Sequence, residues 1–322
     1  MNWRNAQLEV GARSETGYVR DENQDRMSGT RVPLGFLYIV ADGMGGHQGG
    51  ALAAELTVQG LQRYIGEAPV NTPVEKVIHA AFNEANQTVY QQGHAGDPAT
   101  EGMGSTAVLL LISGRVARVA HVGDSRAYLY RWGRLKQLTT DHTVVQKMVQ
   151  AGMLKPEEAA DHPNASILDR AIGSKAGVKV DISNALRLYE GDAILLCSDG
   201  LSGYVADSEI ASVLRSRATV QEIPERLIEL ALKKGGEDNV TVQLIQYGTR
   251  KKAWLLAPIL RYPVFQIAAV LIVGLILGAI GIAIYHAGIR HSTDSPVPVL
   301  KDHDGKPQQL QNHPESNFES RE

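Results

Sequence analysis

The chain has 322 residues, a net charge of -3, 43% hydrophobic and 21% charged residues, and one cysteine. That length leaves room for one large or two ordinary domains with an ample core. The near-neutral charge speaks against a general nucleic-acid binder, and Cys197 alone excludes a disulfide framework or a multi-cysteine zinc cluster.

Residues 1–10 lack an apolar h-region, so no secretory signal is expected. The run 34–41 (LGFLYIVA) ends in Asp-Gly and predicts a buried strand. Residues 49–65 and 74–91 have helical spacing. Strand-like runs follow at 105–112, 115–122 and 126–130, with turn residues between them. Residues 144–151 predict a short helix ahead of a loop-rich stretch through Ala171. Further strands are predicted at 193–197 and 240–247, with a helix over 220–233 between them. Strands and helices are grouped and do not strictly alternate. The pattern argues an α+β fold of sheets covered by helices over residues 1–247, and not a doubly wound parallel sheet.

A basic juxtamembrane linker is expected at 248–261, a transmembrane helix at 262–285 and a disordered polar tail at 286–322. The apolar block is VFQIAAVLIVGLILGAIGIAIY, starting at Val264. About 20 such residues, at roughly 1.5 Å each, cross a hydrocarbon core of about 30 Å. Arg250, Lys251, Lys252 and Arg261 precede the block, and Arg290 is the nearest basic residue after it. The positive-inside rule then makes the protein a single-pass component of the inner (cytoplasmic) membrane, with its large domain cytoplasmic and its tail outside. Gly274 and Gly278 form a GxxxG pair, although glycine is common enough in such helices for chance to produce one.

Five aspartates sit in short motifs at strand ends or turns: Asp25 in RDENQDR, Asp42 in IVADGMGG, Asp124 in HVGDSRAYLY, Asp199 in LLCSDGLSG and Asp238 in GEDNVTV. Taken singly, each is better read as a turn. As a set they point elsewhere, because an aspartate at the end of a buried strand is costly to ionise alone. Several meeting at one point would make the all-oxygen site that Mg2+ or Mn2+ prefers.

In order, RDENQD, VADGMGGH, GSTAV, VGDSRAYLYR, TTDHT, CSDGLSG and EDNVTV resemble the motifs of the bacterial branch of the metal-dependent PPM, or type 2C, serine/threonine protein phosphatases. The resemblance covers about residues 8–247. It implies an α-β-β-α sandwich of two antiparallel sheets with helix pairs outside. It also implies a binuclear Mn2+ or Mg2+ centre that hydrolyses phosphoserine and phosphothreonine on proteins. Carried over by motif, Asp42 bridges both metals and the Gly43 carbonyl completes one shell. Asp199 and Asp238 hold one metal, and Asp25 contributes on the same face. Asp124, with Asp199, matches a third and weaker site, and Arg20 matches the arginine that grips the substrate phosphate. Phosphorylated proteins are the implied partners, with a serine/threonine kinase opposing the activity at the membrane.

Two departures stand out. Gln24 occupies a position where some relatives carry Glu, and Met44 occupies one where some carry a proposed general-acid His. His47 is a possible proton donor, with capping or packing as its alternative role. His121 reads as packed between strands. The stretch from Asp141 and His142 to Ile172 matches a flap beside the active site in relatives, with an ordinary connecting segment as its alternative. DGMGGHQGG misses the dinucleotide spacing and no GxxxxGK[ST] occurs, so no nucleotide cofactor is expected. Cys197 lies inside an apolar strand and reads as a core residue, not a nucleophile. The competing reading is a catalytically weak, membrane-tethered phosphoprotein-binding or regulatory module.

Overall fold

The computed structural model describes residues 8–159, 162–248, 271 and 274–283, with only the backbone of residues 46–48. The chain divides into two units, Met1–Ala257 and Pro258–Glu322. Most of the expected 262–285 span, the linker beyond Gly248 and the tail lie outside the described residues. Leu271 and residues 274–283 are helical and exposed. Among the described residues, no helix is long and apolar enough to cross a membrane.

The first unit opens with β1 (Leu8–Glu15), β2 (Asp25–Val32) and β3 (Gly35–Met44), followed by α1 (Gly46–Glu67) and α2 (Val74–Gly93). Next come β4 (Gly104–Ser105), β5 (Ala107–Ser113), β6 (Val116–Val122), β7 (Arg126–Arg131) and β8 (Arg134–Gln137). After α3 (Val144–Gln150) there are β9 (Asp181–Ile182), β10 (Leu186–Arg187) and β11 (Ala193–Cys197). The unit ends with α4 (Asp199–Ser202), α5 (Asp207–Arg215), α6 (Glu222–Lys233) and β12 (Val240–Tyr247). One sheet runs β1-β12-β11-β7-β8 and the other β10-β6-β5-β3-β2, with β4 on β3 and β9 on β6. Every pairing is antiparallel.

Side-chain alternation explains why the central strands are apolar throughout. In β5, Ala107, Leu109 and Leu111 face α1 and α2, while Val108, Leu110 and Ile112 face the other sheet. In β11, Ala193, Leu195 and Cys197 pack under α5 and α6, and Ile194 and Leu196 enter the layer between the sheets. A strand buried on both faces needs no polar alternation. The outcome is helices, sheet, sheet, helices, in agreement with the expected sandwich.

Several boundaries differ from those predicted. β1 and β2 carry few apolar residues because each is the edge strand of its sheet and half exposed. α6 starts two residues later than the apolar spacing predicts. Glu222 N–H donates to Thr219 Oγ1 at 3.2 Å and Thr219 N–H donates back to Glu222 Oε2 at 2.7 Å, closing a turn just ahead of the helix.

Candidate metal centre

The antiparallel registers bring the aspartate motifs to one end of the sandwich. Asp25 opens β2 and lies directly opposite Asp42 near the end of β3. Asp124 fills the turn from β6 to β7, Asp199 opens α4 just beyond β11, and Asp238 precedes β12. All five therefore meet where the strands of both sheets start or stop.

Their immediate supports are hydroxyls and backbone amides. Asp42 N–H donates to Thr106 Oγ1 at 3.0 Å, and its carbonyl accepts from Thr106 N–H at 2.8 Å and Ser105 Oγ at 3.0 Å. Thr106 Oγ1 lies 2.7 Å from Ser125 Oγ, tying β3 to the turn that holds Asp124. Ser198 Oγ donates to Asp25 Oδ2 at 2.7 Å while accepting from Thr241 N–H at 2.9 Å. Glycines permit the close approach. A Cβ on Gly43 would lie 1.9 Å from the Gly50 carbonyl oxygen, and one on Gly200 would lie 1.9 Å from that of Asn239. Neither position accepts a side chain without moving backbone.

The electrostatics are those of carboxylates with too few cations. Burial, reinforced by Asp199 and Asp238, pushes Asp25 up to about 7. Burial together with Asp199 and Asp141 pushes Asp124 up to about 8. Asp42 is held well above the usual carboxylate range by burial and then by Asp25 and Asp199. Asp199 is raised by burial and Asp238. The carboxyls of Asp42 and Asp199 lie within hydrogen-bonding reach of each other. Two carboxylates approach so closely only with a proton or a cation between them. Asp25 Oδ1 and Asp199 Oδ1 are buried without any hydrogen-bond partner. Buried polar oxygens are normally satisfied, so these two are acceptors left for something else. Among the described residues no three His, Cys, Asp or Glu side chains form a ready metal cage. The donor set is oxygen alone, with two orphaned oxygens at its centre, and this fits hard divalent cations.

Arg20 lies in the loop from β1 to β2, half exposed, with Nη2 donating to Asp238 Oδ2 at 2.9 Å. Asp42 and Asp199 also raise its affinity for a proton. The loop is held from a distance. Asn239 Nδ2 donates to the Thr16 and Glu22 carbonyls at 2.8 and 3.0 Å, and its Oδ1 accepts from Gln24 N–H at 2.8 Å. Asn239 is the functional residue that sequence reasoning missed. It stands inside the quoted EDNVTV motif, but nothing local tells that its amide bonds a loop more than 200 positions earlier. We expect Asn239→Ala, by removing three hydrogen bonds to part-buried backbone groups, to cost about 1–3 kcal/mol of stability. It should raise KM more than it lowers kcat. Melting curves and steady-state kinetics check both.

His47 is in the first turn of α1, and its side chain lies outside the described residues. His121 is buried as expected, with Nε2 2.8 Å from the Thr140 carbonyl, and it stacks on His142 at 4.4 Å. His142 Nδ1 accepts from Gly123 N–H at 3.1 Å. Asp141 is fixed by Arg126, whose Nη2 lies 2.6 Å from its Oδ2. The segment from Asp141 to Ile172 closes back on the site, since Ser105 and Ile172 exchange backbone bonds at 3.0 and 2.8 Å.

Comparison with known proteins bears on the family and the fold. The family model for protein phosphatase 2C matches residues 18–240. The serine/threonine protein phosphatase PstP of Mycobacterium tuberculosis is 41% identical over 237 residues, covering 73% of this chain and 44% of that protein. This chain thus spans less than half the length of that relative. Protein phosphatase PhpP of Streptococcus pneumoniae is 37% identical over 245 residues, covering 74% of this chain and 97% of its own length. The crystal structure of the PstP catalytic domain with 2 manganese ions superposes with a TM-score of 0.66 at 36% identity, covering 76% of this chain and 100% of that one. With this match over most of its length, the chain belongs to the protein phosphatase 2C family.

Proposed function

We propose that this chain is a metal-dependent protein-serine/threonine phosphatase carried on the membrane by its C-terminal apolar segment. The observation that carries the reading is the meeting of five aspartates and one arginine at a single end of the sandwich, with two buried oxygens unpartnered. In this reading Asp25, Asp42, the Gly43 carbonyl, Asp199 and Asp238 hold two Mn2+ or Mg2+ ions, and Asp124 with Asp199 takes a third. When bound, such ions supply Lewis acidity, lowering the pKa of water toward neutrality and offsetting charge on phosphoryl oxygens.

The chain's own residues do the rest. The planar Arg20 guanidinium, exposed at the rim, receives the phosphate through paired N–H donors and orients it over the carboxylates. Asn239 keeps that arginine at its station. The Thr106 and Ser105 hydroxyls fix the Asp42 backbone, so its carboxyl does not reorganise as charge develops. Substrates are phosphorylated proteins, and a kinase of matching specificity opposes the activity. The 262–285 span places the domain at the cytoplasmic face of the inner membrane, where tethering raises its local concentration near membrane substrates.

The test is phosphate release from a phosphothreonine peptide by the full chain and by residues 1–248. Both are expected to need Mn2+ and to stop with EDTA, at similar rates. Only the full chain should stay with membranes through alkaline carbonate washing. A rate indifferent to EDTA overturns the catalytic reading, and recovery of the full chain in the wash overturns the anchor.

A further inference from the structure

The opposite end of the sandwich carries a feature that catalysis does not use. β7 and β8 join through a two-residue turn, Trp132-Gly133, closed by Arg131 facing Arg134. Both turn residues have positive φ, 51° and 78°. That is the type I′ geometry in which Asn-Gly is the preferred pair. Trp132 is the one non-glycine residue with positive φ among the described residues. A bulky side chain is disfavoured there, and burial in the core does not compensate, because Trp132 is 76% exposed. Backbone outliers of this kind cluster at functional positions.

The surroundings of Trp132 are aromatic and basic. Its ring lies 6.3 Å from that of Tyr189, which is 45% exposed. Arg131 sits over both rings, at 5.6 and 4.8 Å, and Arg187 over Tyr189 at 5.8 Å. Arg115 adjoins them, its carbonyl accepting from Leu188 N–H at 2.8 Å. The buried acid Asp192 is consumed by Arg131, at 2.6 Å. Arg115, Arg134 and Arg187 remain exposed and without ion pairs among the described residues, with Glu190 as the neighbouring acid.

The chain leaves the domain at this same place. β12 runs from the metal end to Tyr247, whose carbonyl accepts from Gly191 N–H at 2.9 Å, and Gly248 abuts Glu190. The next basic residues are Arg250, Lys251 and Lys252, ahead of the apolar block. We propose that the face formed by Arg115, Arg131, Trp132, Arg134, Arg187 and Tyr189 docks on the anionic headgroups of the membrane, an inference that rests on the membrane-anchored reading above. Amphipathic Trp and Tyr rings settle at headgroup depth, and exposed arginines are drawn to an anionic leaflet. Docked this way, the domain turns its metal end outward, one strand length from the bilayer, with Arg20 facing the cytoplasm.

The experiment uses residues 1–248, a unit that can be expected to fold alone because PhpP is matched over 97% of its own length by this region. With Trp3→Phe in place, Trp132 is its sole tryptophan. Vesicles of phosphatidylcholine alone are compared with vesicles containing about one third phosphatidylglycerol. Expected are sedimentation with the anionic vesicles only, a blue shift of Trp132 fluorescence, and release at about 0.5 M salt. Each arginine neutralised in Arg134→Gln and Arg187→Gln is expected to cost about fivefold in vesicle affinity. Trp132→Asn, which suits the turn, should weaken binding in the Trp3-containing protein without changing hydrolysis of a soluble phosphate ester. Absence of binding, equal binding to neutral vesicles, or an unmoved Trp132 spectrum overturns the docking face. Carbonate extraction of the full chain reports the span separately, so a failed patch and a failed anchor give different results.

Discussion

Asp199→Asn is expected to yield a domain that melts higher than the wild type in EDTA at about pH 8, by ~2–6 °C, and yet hydrolyses nothing. The gain comes from removing a carboxylate that is raised by burial and by Asp238 and that in turn raises Asp42. Its Oδ1 has no partner to lose. Relief of about 1–2 kcal/mol corresponds to a few degrees for a domain of this size. The loss of activity should be on the order of 10³-fold or more, about 4 kcal/mol of barrier, because the residue is needed only when cations and phosphate are present. Mn2+ should raise the melting temperature of the variant much less than that of the wild type.

Asp192 is the internal control. It is buried, but Arg131 reaches it at 2.6 and 2.8 Å and Tyr189 N–H at 2.7 Å. Asp192→Asn should therefore lower the melting temperature, since breaking a satisfied buried ion pair strands its cation. If Asp199→Asn also melts lower in EDTA and keeps activity within about tenfold, Asp199 is a structural residue and the metal-centre reading fails.

The contrast between these two aspartates shows what the sequence alone could carry. Asp199 announces itself: an apolar strand ends in Asp-Gly, and Asp42 repeats the pattern near the end of β3. Asp192 follows Gly191 in an equally ordinary turn, and nothing near it names Arg131 as its partner 61 positions earlier. The same divide runs through the fold. β5 and β11 were legible because both their faces are buried and their apolar runs are nearly unbroken, and β12 because its β-branched and apolar residues outweigh its buried Thr241, Gln243 and Gln246. β1 and β2 were not, because edge strands expose half their residues, and α5, at nine residues, is too short to stand out. At the site, charged residues could be read from their motifs. The groups that hold them in place, Asn239, Ser198 and Thr106, act through backbone contacts made by the fold, and only the structure connects them.

Mn2+ should stabilise the domain far more at about pH 8.5 than at pH 6.5. In the metal-free protein Asp25 titrates near 7 and Asp124 near 8, with burial the first cause of each and neighbouring carboxylates the second. In the unfolded chain an aspartate titrates near 4. Between those values the folded state binds more protons than the unfolded state, so metal-free stability must fall as pH rises. The contribution is complete below about pH 4 and is lost on passing through 7 to 8, a difference on the order of a few kcal/mol. The buried histidines have the opposite sign. Burial lowers both, His142 to about 4. Their contribution is complete above about 6.5 and is lost only toward acid, so it stays nearly constant across the chosen window. Cations need the carboxylates ionised, so their binding competes with protons and strengthens over the same interval. The EDTA curve is therefore expected to slope downward with pH while the Mn2+ curve stays level, the gap widening by several degrees. Asp25→Asn should flatten the EDTA curve, because the group whose ionisation drives it is gone. An EDTA melting temperature that rises over this window, or a Mn2+ shift independent of pH, would show that these carboxyls are not forced together and that the cations bind elsewhere.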